Sequence, residues 1–172
     1  FETYLEANGM GDGIDNNTFV LTTNIESVTS LIVNGLAISD LTGIEDFIAL
    51  QDLNSSNTNI SSLDVSKNSA LTTLNCANNS LLTSLNLSNN NSLTTINCSN
   101  NALTSLNLGS NTVLTTVNCA ANSLTRLDLS KNTIVTSVDC SDNELTSLNL
   151  GNNTDLTTLN CFKNKLTSLN LI

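Results

Sequence analysis

L-T-T-I-N-C-S-N-N-A-L-T-S-L-N-L-G-S-N-T-V, residues 93–113, is the stretch that decides the fold. It contains one L-x-x-L-x-L phrase twice, and Asn101 and Asn111 each follow a phrase at the third residue. The apolar positions of the two phrases are Leu93, Ile96, Cys98, Leu103, Leu106 and Leu108. Apolar residues at such a short, fixed spacing are typical of repeat proteins, in which each unit packs on its neighbours.

The same unit recurs along most of the chain at intervals of 21 or 22 residues. We number its copies as coils 1 to 7 by their first apolar residues: Val28, Leu50, Leu71, Leu93, Leu114, Val135 and Leu156. The first copy is degenerate, as terminal repeats usually are. We therefore expect one continuous domain over residues 28–172. Because the chain stops within a phrase, we expect it to be truncated at the C-terminus.

The alternation of side chains within each phrase predicts a short β-strand. Ile96 and Cys98 would face inward, whereas Thr95, Asn97 and Ser99 would face outward, which is the period of two that strands show. The second phrase of each unit has the same alternation, and no room for a helix remains between phrases. We expect a mainly β solenoid of about seven coils with short parallel strands on both flanks, each coil advancing about 4.8 Å.

Residues 1–27 differ from the repeats, and we expect them to cap the first coil. Residues 1–8 have the spacing of a short amphipathic helix that Gly9 would end. The acidic loop that follows includes Asp12 and Asp15, and such a density of oxygen ligands suits calcium. The spacing departs from the EF-hand pattern, however, and Asp, Asn and Gly also simply form turns. Calcium at Asp12 and Asp15 is thus a weak candidate, and we expect no other cofactor.

The charge distribution limits the classes of partner. The net charge is −10, and ten of the fifteen acidic residues lie in the first 66 residues, which contain no Lys or Arg. Such a surface repels phosphate backbones and anionic membranes, so we expect neither nucleic acid nor membrane as partner. No apolar run is long enough to insert as a transmembrane helix. We expect a monomer.

Two columns of Asn close the phrases, and one column of Cys replaces an inward Leu. An inward amide can pair the main-chain groups left open at each bend, so we interpret both Asn columns as structural. For the thiols, disulfides, a metal site and a buried reduced ladder compete, and the odd number and one-per-coil spacing favour the ladder. These residues are Asn79, Asn101, Asn122, Asn143, Asn164; Asn68, Asn90, Asn111, Asn132, Asn153; and Cys76, Cys98, Cys119, Cys140, Cys161.

The L-x-x-L-x-L-x-x-N-x-L phrases resemble leucine-rich repeats, and the 21-residue period with Cys is similar to the cysteine ladder of internalin J, a listerial surface protein. The opening F-E-x-Y-L and the later I-S-D-L-T-G-I-E-D-F, residues 38–47, are similar to secreted leucine-rich repeat proteins of Bacteroidetes. This resemblance implies a bacterial protein that is secreted or held at the cell surface and whose concave strand face makes the contacts.

Candidate binding residues come from the outward positions of the predicted strands. We find no pattern for catalysis, because the chain has no His and no paired carboxylates in a predicted cleft, so we expect no enzymatic activity. Repeated Thr and Asn can hydrogen-bond an extended partner, although β-propensity and solubility also select them. The candidates are Thr73, Asn75, Thr95, Asn97, Thr116, Asn118, Asp139, Thr158, Asn160 and the outward aromatic Phe162.

The sequence leaves three functions open. The first is a non-enzymatic extracellular or cell-surface adhesion module that recognises protein or glycan through its strand face. The second is ice binding, because regularly spaced Thr on a flat solenoid can match a lattice. The third is a purely structural spacer. Phe162 can anchor a ligand or pack against a following coil.

Overall fold

The computed structural model describes residues 1–14 and 20–171. Within them, eleven three-residue strands follow one another along the chain. They are β1 (Ser30–Ile32), β2 (Asp52–Asn54), β3 (Ser62–Asp64), β4 (Thr73–Asn75), β5 (Ser84–Asn86), β6 (Thr95–Asn97), β7 (Thr116–Asn118), β8 (Ser137–Asp139), β9 (Ser147–Asn149), β10 (Thr158–Asn160) and β11 (Ser168–Asn170).

One parallel sheet of seven strands runs through every coil, in the order β1-β2-β4-β6-β7-β8-β10. Equivalent residues pair directly, as in Thr73 with Thr95 and Asn75 with Asn97. The central residue of β1, β2, β4, β6, β7 and β8 is buried, while its two neighbours face outward. This arrangement confirms the predicted mainly β solenoid of about seven coils.

The opposite flank, which we call the back flank, is less regular than predicted. Only β3 with β5 and β9 with β11 pair there, and residues 105–107 and 126–128 form no strand. The expectation of strands on both flanks is therefore wrong for coils 4 and 5. Side chains join the coils in this region, since Asn111 Nδ2 donates to the carbonyls of Leu87 and Asn90, and Asn132 Nδ2 to those of Leu108 and Asn111.

The extra residue of coil 3 does not disturb the stack. Leu81 is 59% exposed, whereas Leu82 beside it is fully buried and occupies the inward position. The following strands stay in register, with Ser62 opposite Ser84 on the back flank. An inserted residue is tolerated at the bend because its side chain can turn outward there.

The predicted N-terminal helix is present as α1 (Glu2–Ala7) and covers the first coil. Leu5 is buried, and the rings of Phe1 and Phe47 lie 6.2 Å apart. The Tyr4 hydroxyl donates to the carbonyl of Ile32 at 3.0 Å, which ties the helix to β1. The sequence analysis missed a second helix, α2 (Thr22–Ile25), and a single 3-10 turn (Ile44–Asp46) in coil 1.

The first Asn column pairs every polar atom of its amide. Asn122 Nδ2 donates to the carbonyls of Cys98 and Cys119 at 3.0 Å each, so one side chain joins two successive coils. Its Oδ1 accepts the main-chain N–H of Leu103 at 3.0 Å. Asn79, Asn101, Asn143 and Asn164 repeat this pattern of two donated bonds and one accepted bond. The structure thus confirms the structural interpretation of the Asn columns.

A left-handed backbone conformation recurs at the second residue after each ladder position. The φ angles there lie between +49° and +59° at Asn57, Asn78, Asn100, Ala121, Asp142 and Lys163. Asn and Asp tolerate this conformation because their short polar side chains bond locally, whereas Ala and Lys have no such compensation. Ala121 is therefore a site where the sequence is not optimal for the fold.

Replacing Ala121 by Asn is expected to raise the free energy of unfolding by about 0.5–1 kcal/mol, because Asn adopts the left-handed conformation at lower cost. Urea denaturation of the two proteins measures this difference. Ala120→Asn, one residue earlier, makes the same change where φ is not positive and should bring no gain. Equal effects at both positions would contradict the explanation.

Candidate binding surface

The front sheet places nine of the ten predicted binding residues on one surface, which we call the strand face. Its first column is Thr73, Thr95, Thr116, Ser137 and Thr158, and its second is Asn75, Asn97, Asn118, Asp139 and Asn160. The pairing register sets each residue directly beside its equivalent in the next coil. The residues in coils 3 to 6 are half-buried, so neighbouring coils restrict their side chains. That they bind a partner stays a prediction.

The amides of the second column have their oxygens directed toward their own main chain. Oδ1 of Asn75, Asn97 and Asn118 accepts the N–H two residues later at 3.1–3.2 Å. Their Nδ2 groups have no hydrogen-bond partner within the described part of the chain. Each of these three amides therefore presents N–H donors outward and keeps its acceptor occupied.

Two adjacent Thr in each coil have different roles. The hydroxyl of Thr94 donates to the carbonyl of Thr72 at 3.0 Å, and Thr115 donates to Thr94 at 3.2 Å. The same bond recurs at Thr72, Thr136 and Thr157. In contrast, the hydroxyls of Thr73, Thr95 and Thr116 make no hydrogen bond to any described residue. The sequence repeats T-T without showing which hydroxyl stays free.

Asp139 brings a negative charge into the second column. Burial disfavours its ionised form, but hydrogen bonds from Ser141 and from Asn160 outweigh that effect and hold the pKa of Asp139 below its ordinary value. Ser141 donates through its hydroxyl at 2.6 Å and Asn160 through Nδ2 at 3.0 Å. The strand face is thus uncharged at coils 3 to 5 and anionic at coil 6.

Phe162 lies two residues beyond β10 and is 52% exposed. Lys163 Nζ lies 5.3 Å from the centroid of its ring and 3.1 Å from Oδ1 of Asp142. Lys165 pairs with Glu144 in the same region. An ammonium group thus lies over the aromatic ring at the last coil, at the end of the column that continues Ala77, Ser99, Ala120 and Ser141.

The cysteines form the buried ladder that the sequence predicted. All five are free thiols; Cys76, Cys98, Cys119 and Cys140 are buried, and Cys161 is half-buried in the last coil. Ser55 occupies the same inward position in coil 2, where it is completely buried and its hydroxyl oxygen has no hydrogen-bond partner. The sequence analysis missed this serine, although the 21-residue spacing from Ser55 to Cys76 marks it.

Burial suppresses the reactivity of these thiols. It raises the pKa of Cys76 and of Cys140 to about 12, and it raises the pKa of Cys98 and Cys119 well above the ordinary value of 9.0. Protonated thiols are poor nucleophiles and poor metal ligands. Among the residues that the structure describes, no three His, Cys, Asp or Glu side chains cluster as a metal site.

The calcium candidates are only partly within the described residues. Oδ1 of Asp12 accepts the N–H of Ile14 at 2.9 Å, which forms an Asx turn. The carboxylate of Glu6 accepts the N–H groups of Asp12 and Gly13, at 2.7 Å and 3.0 Å. Asp15 lies outside the described residues. Calcium binding at Asp12 and Asp15 remains a prediction.

In residues 1–14 and 20–171 we find no helix with the length and apolar character that a membrane span requires.

Several solved structures are similar to this chain. The functional domain of InlJ from Listeria monocytogenes, which includes a cysteine ladder, is 29% identical with a TM-score of 0.71 over 88% of this chain and 40% of its own. An internalin, inlF, of the same species is 20% identical, with a TM-score of 0.73 over 87% of this chain and 49% of its own. YopM from Yersinia enterocolitica is 26% identical, with a TM-score of 0.65 over 84% of this chain and 36% of its own.

These similarities establish the fold as a leucine-rich repeat solenoid, and its structural neighbours include bacterial leucine-rich repeat proteins. No protein-family model matches the chain, and no curated protein sequence matches it significantly. The chain spans less than half the length of each of the three structures named above. Their likeness supports a protein-interaction module and leaves the partner open.

Exchanging the residue types within the ladder should shift stability in opposite directions. Cys119→Ser is expected to lower the free energy of unfolding by about 1–3 kcal/mol, because it buries a hydroxyl without a partner. Ser55→Cys is expected to raise it by about 1–2 kcal/mol by removing such a hydroxyl. Denaturant titration measures both, and Ser55→Ala tests removal of the hydroxyl alone. Loss of stability in all three variants would contradict the ladder model.

The raised thiol pKa values predict a loss of stability in alkali. Unfolded thiols ionise near their ordinary pKa of 9.0, whereas the folded ones stay protonated until about pH 12. Above about pH 9 the unfolded state therefore releases protons that the folded state retains, and the free energy of unfolding falls as pH rises toward 12. Urea midpoints across this range measure the slope. The variant Cys98→Ala/Cys119→Ala should show a shallower decline, and an unchanged slope would reject this cause.

Proposed function

We propose that the chain is a non-enzymatic interaction module that binds an extended protein or glycan through its strand face. The observation that carries this proposal is the row of free hydrogen-bond donors on coils 3 to 5. Thr73, Thr95 and Thr116 offer hydroxyls, and the adjacent Asn offer amide N–H groups, all fixed in register by the sheet beneath them. Donors that are ordered before binding lose little entropy when a partner arrives.

We further propose that the protein is bacterial, secreted or attached to the cell surface, acts in adhesion, and is a monomer. The likeness to internalin structures supports the bacterial and surface assignment. A relation to Bacteroidetes proteins rests on the motifs of residues 1–5 and 38–47. The net charge of −10 supports a partner other than nucleic acid, since phosphate backbones would be repelled.

The absence of enzymatic activity is also part of the proposal. A general base would have to be a carboxylate or an amine, because the chain contains no His. On the strand face, the ionised Asp139 is held by Ser141 and Asn160. No second carboxylate occupies the strand-face columns at coils 3 to 7. Paired acid and base chemistry therefore has no support at this surface.

Ice binding is a second candidate, because the free hydroxyls of Thr73, Thr95 and Thr116 repeat at the coil spacing. A neighbouring column of Asn rather than Thr, and Ser137 within the first column, weaken the match to a lattice. Thermal hysteresis of the purified protein at micromolar concentration tests this function. A freezing point equal to the melting point would reject it, and binding to no ligand class either would favour the spacer.

Thr116→Arg is expected to abolish binding to a partner of the strand face, because it places a long cation at the centre of the donor rows. The measurement is surface plasmon resonance against immobilised glycans and proteins. Ser105→Arg is the matched control: it makes the same change on the back flank, where Arg126 occupies the equivalent position of the next coil. Equal loss of binding in both variants would contradict the proposed surface.

A further inference from the structure

The hydrogen-bonding inventory of the strand face indicates what kind of partner it fits. We infer that the partner is an uncharged linear glycan that crosses the strands along the solenoid axis, one sugar unit or so per coil. This inference rests on the proposed function and specifies the ligand of the same surface. The residues that carry it are Thr73, Thr95, Thr116 and their neighbours Asn75, Asn97 and Asn118.

These six side chains offer more donors than acceptors. Each coil presents one hydroxyl and one amide Nδ2 group outward, whereas the amide oxygen already accepts a main-chain N–H. At Asn97 the Ser99 hydroxyl, at 2.8 Å, occupies the same oxygen a second time. The hydroxyl oxygens are thus the main acceptors that remain for a ligand.

A glycan satisfies such a surface better than a peptide does. An extended peptide brings one N–H with nearly every carbonyl, and an N–H that loses water without finding an acceptor weakens binding. The ring and glycosidic oxygens of a sugar accept only, and its hydroxyls can accept as well as donate. Every sugar oxygen placed above Asn75, Asn97 or Asn118 can therefore take an amide proton without leaving a donor unpaired.

Charge selects among glycans. The strand face carries no ionisable side chain in its two columns at coils 3 to 5, and the whole chain has a net charge of −10. An anionic polysaccharide would be repelled by the protein and would find no cation in these columns. Asp139 and, in coil 2, Asp52 border the uncharged region along the axis. A neutral polymer is the class that meets neither repulsion nor an unpaired charge.

The direction of the ligand follows from the column geometry. Neighbouring strands of a sheet lie about 4.8 Å apart, so equivalent donors repeat at that interval across the strands. A polymer with a short repeat that runs along the axis meets the same donor pair in each coil. A polymer that ran along a three-residue strand would meet one pair only.

The test replaces donors by acceptors with little change in shape. Asn97→Asp/Asn118→Asp retains the Oδ1 bond, as Asp139 does at the same position of coil 6, where it accepts the N–H of Ser141 at 3.0 Å. Soluble neutral polysaccharides (a β-1,3-glucan, a β-1,4-mannan, a xyloglucan and dextran) and an anionic one, alginate, are the probes in affinity electrophoresis. We expect the wild type to bind at least one neutral polymer, and the double variant to bind it at least tenfold more weakly.

The control is Asn107→Asp/Asn149→Asp on the back flank, which adds the same charge. Asn107 and Asn149 accept the N–H of Gly109 and of Gly151, so the local turn is the same. This variant should bind as the wild type does. Asp139→Asn should extend the donor column by one coil and tighten binding, provided that thermal melting shows all variants folded.

The outcomes separate the two levels of the proposal. No retention by any neutral polysaccharide, preference for alginate, or insensitivity to Asn97→Asp/Asn118→Asp would overturn the glycan inference. Binding of a protein ligand instead, lost in Thr116→Arg but retained in Ser105→Arg, would preserve the interaction module and reject the glycan. Binding of either class that Thr116→Arg leaves intact would reject the strand face itself.

Discussion

The structure depends on pairing the peptide groups at the bends, where a flattened coil must reverse direction and the sheet can no longer satisfy its own carbonyls. A buried Asn amide performs this pairing in each coil. Asn122 accepts an N–H from the coil before it and donates both to that coil's Cys98 carbonyl and to Cys119 of its own. The side chain that closes one turn thus also fixes the next, which keeps the front sheet continuous while main-chain pairing on the back flank is interrupted.

Most of this architecture was predictable from the sequence because period and polarity coincide. The L-x-x-L-x-L spacing predicts both the inward residues and the strands, and the Asn and Cys columns follow from the same count. Local turn chemistry and pairing were less accessible. The short helix at Thr22–Ile25 and the unpaired back flank at residues 105–107 and 126–128 depend on contacts between coils that no single repeat displays. Ser55 was missed because a polar residue occupies an apolar position.

The candidate surface divides in the same way. Its membership followed from alternation, and the structure brings nine of the ten predicted residues into one sheet. Its chemistry did not follow, because the sequence cannot distinguish the two Thr of each T-T pair. Thr94 bonds the preceding coil whereas Thr95 is free, and the Asn amides face outward with their nitrogens because a main-chain N–H occupies each oxygen. These choices are set by turn geometry two residues away.

The bonds from each Asn to the preceding coil also bear on how such a protein changes in length. Every junction between coils uses the same carbonyls, the same amide and nearly the same spacing of 21 or 22 residues. Duplication or deletion of a whole unit within the gene therefore recreates a junction that already exists, with no new interface to evolve. A surface made of repeated donor pairs would lengthen or shorten with it, so that reach along an elongated ligand is a quantity adjustable in steps of one coil.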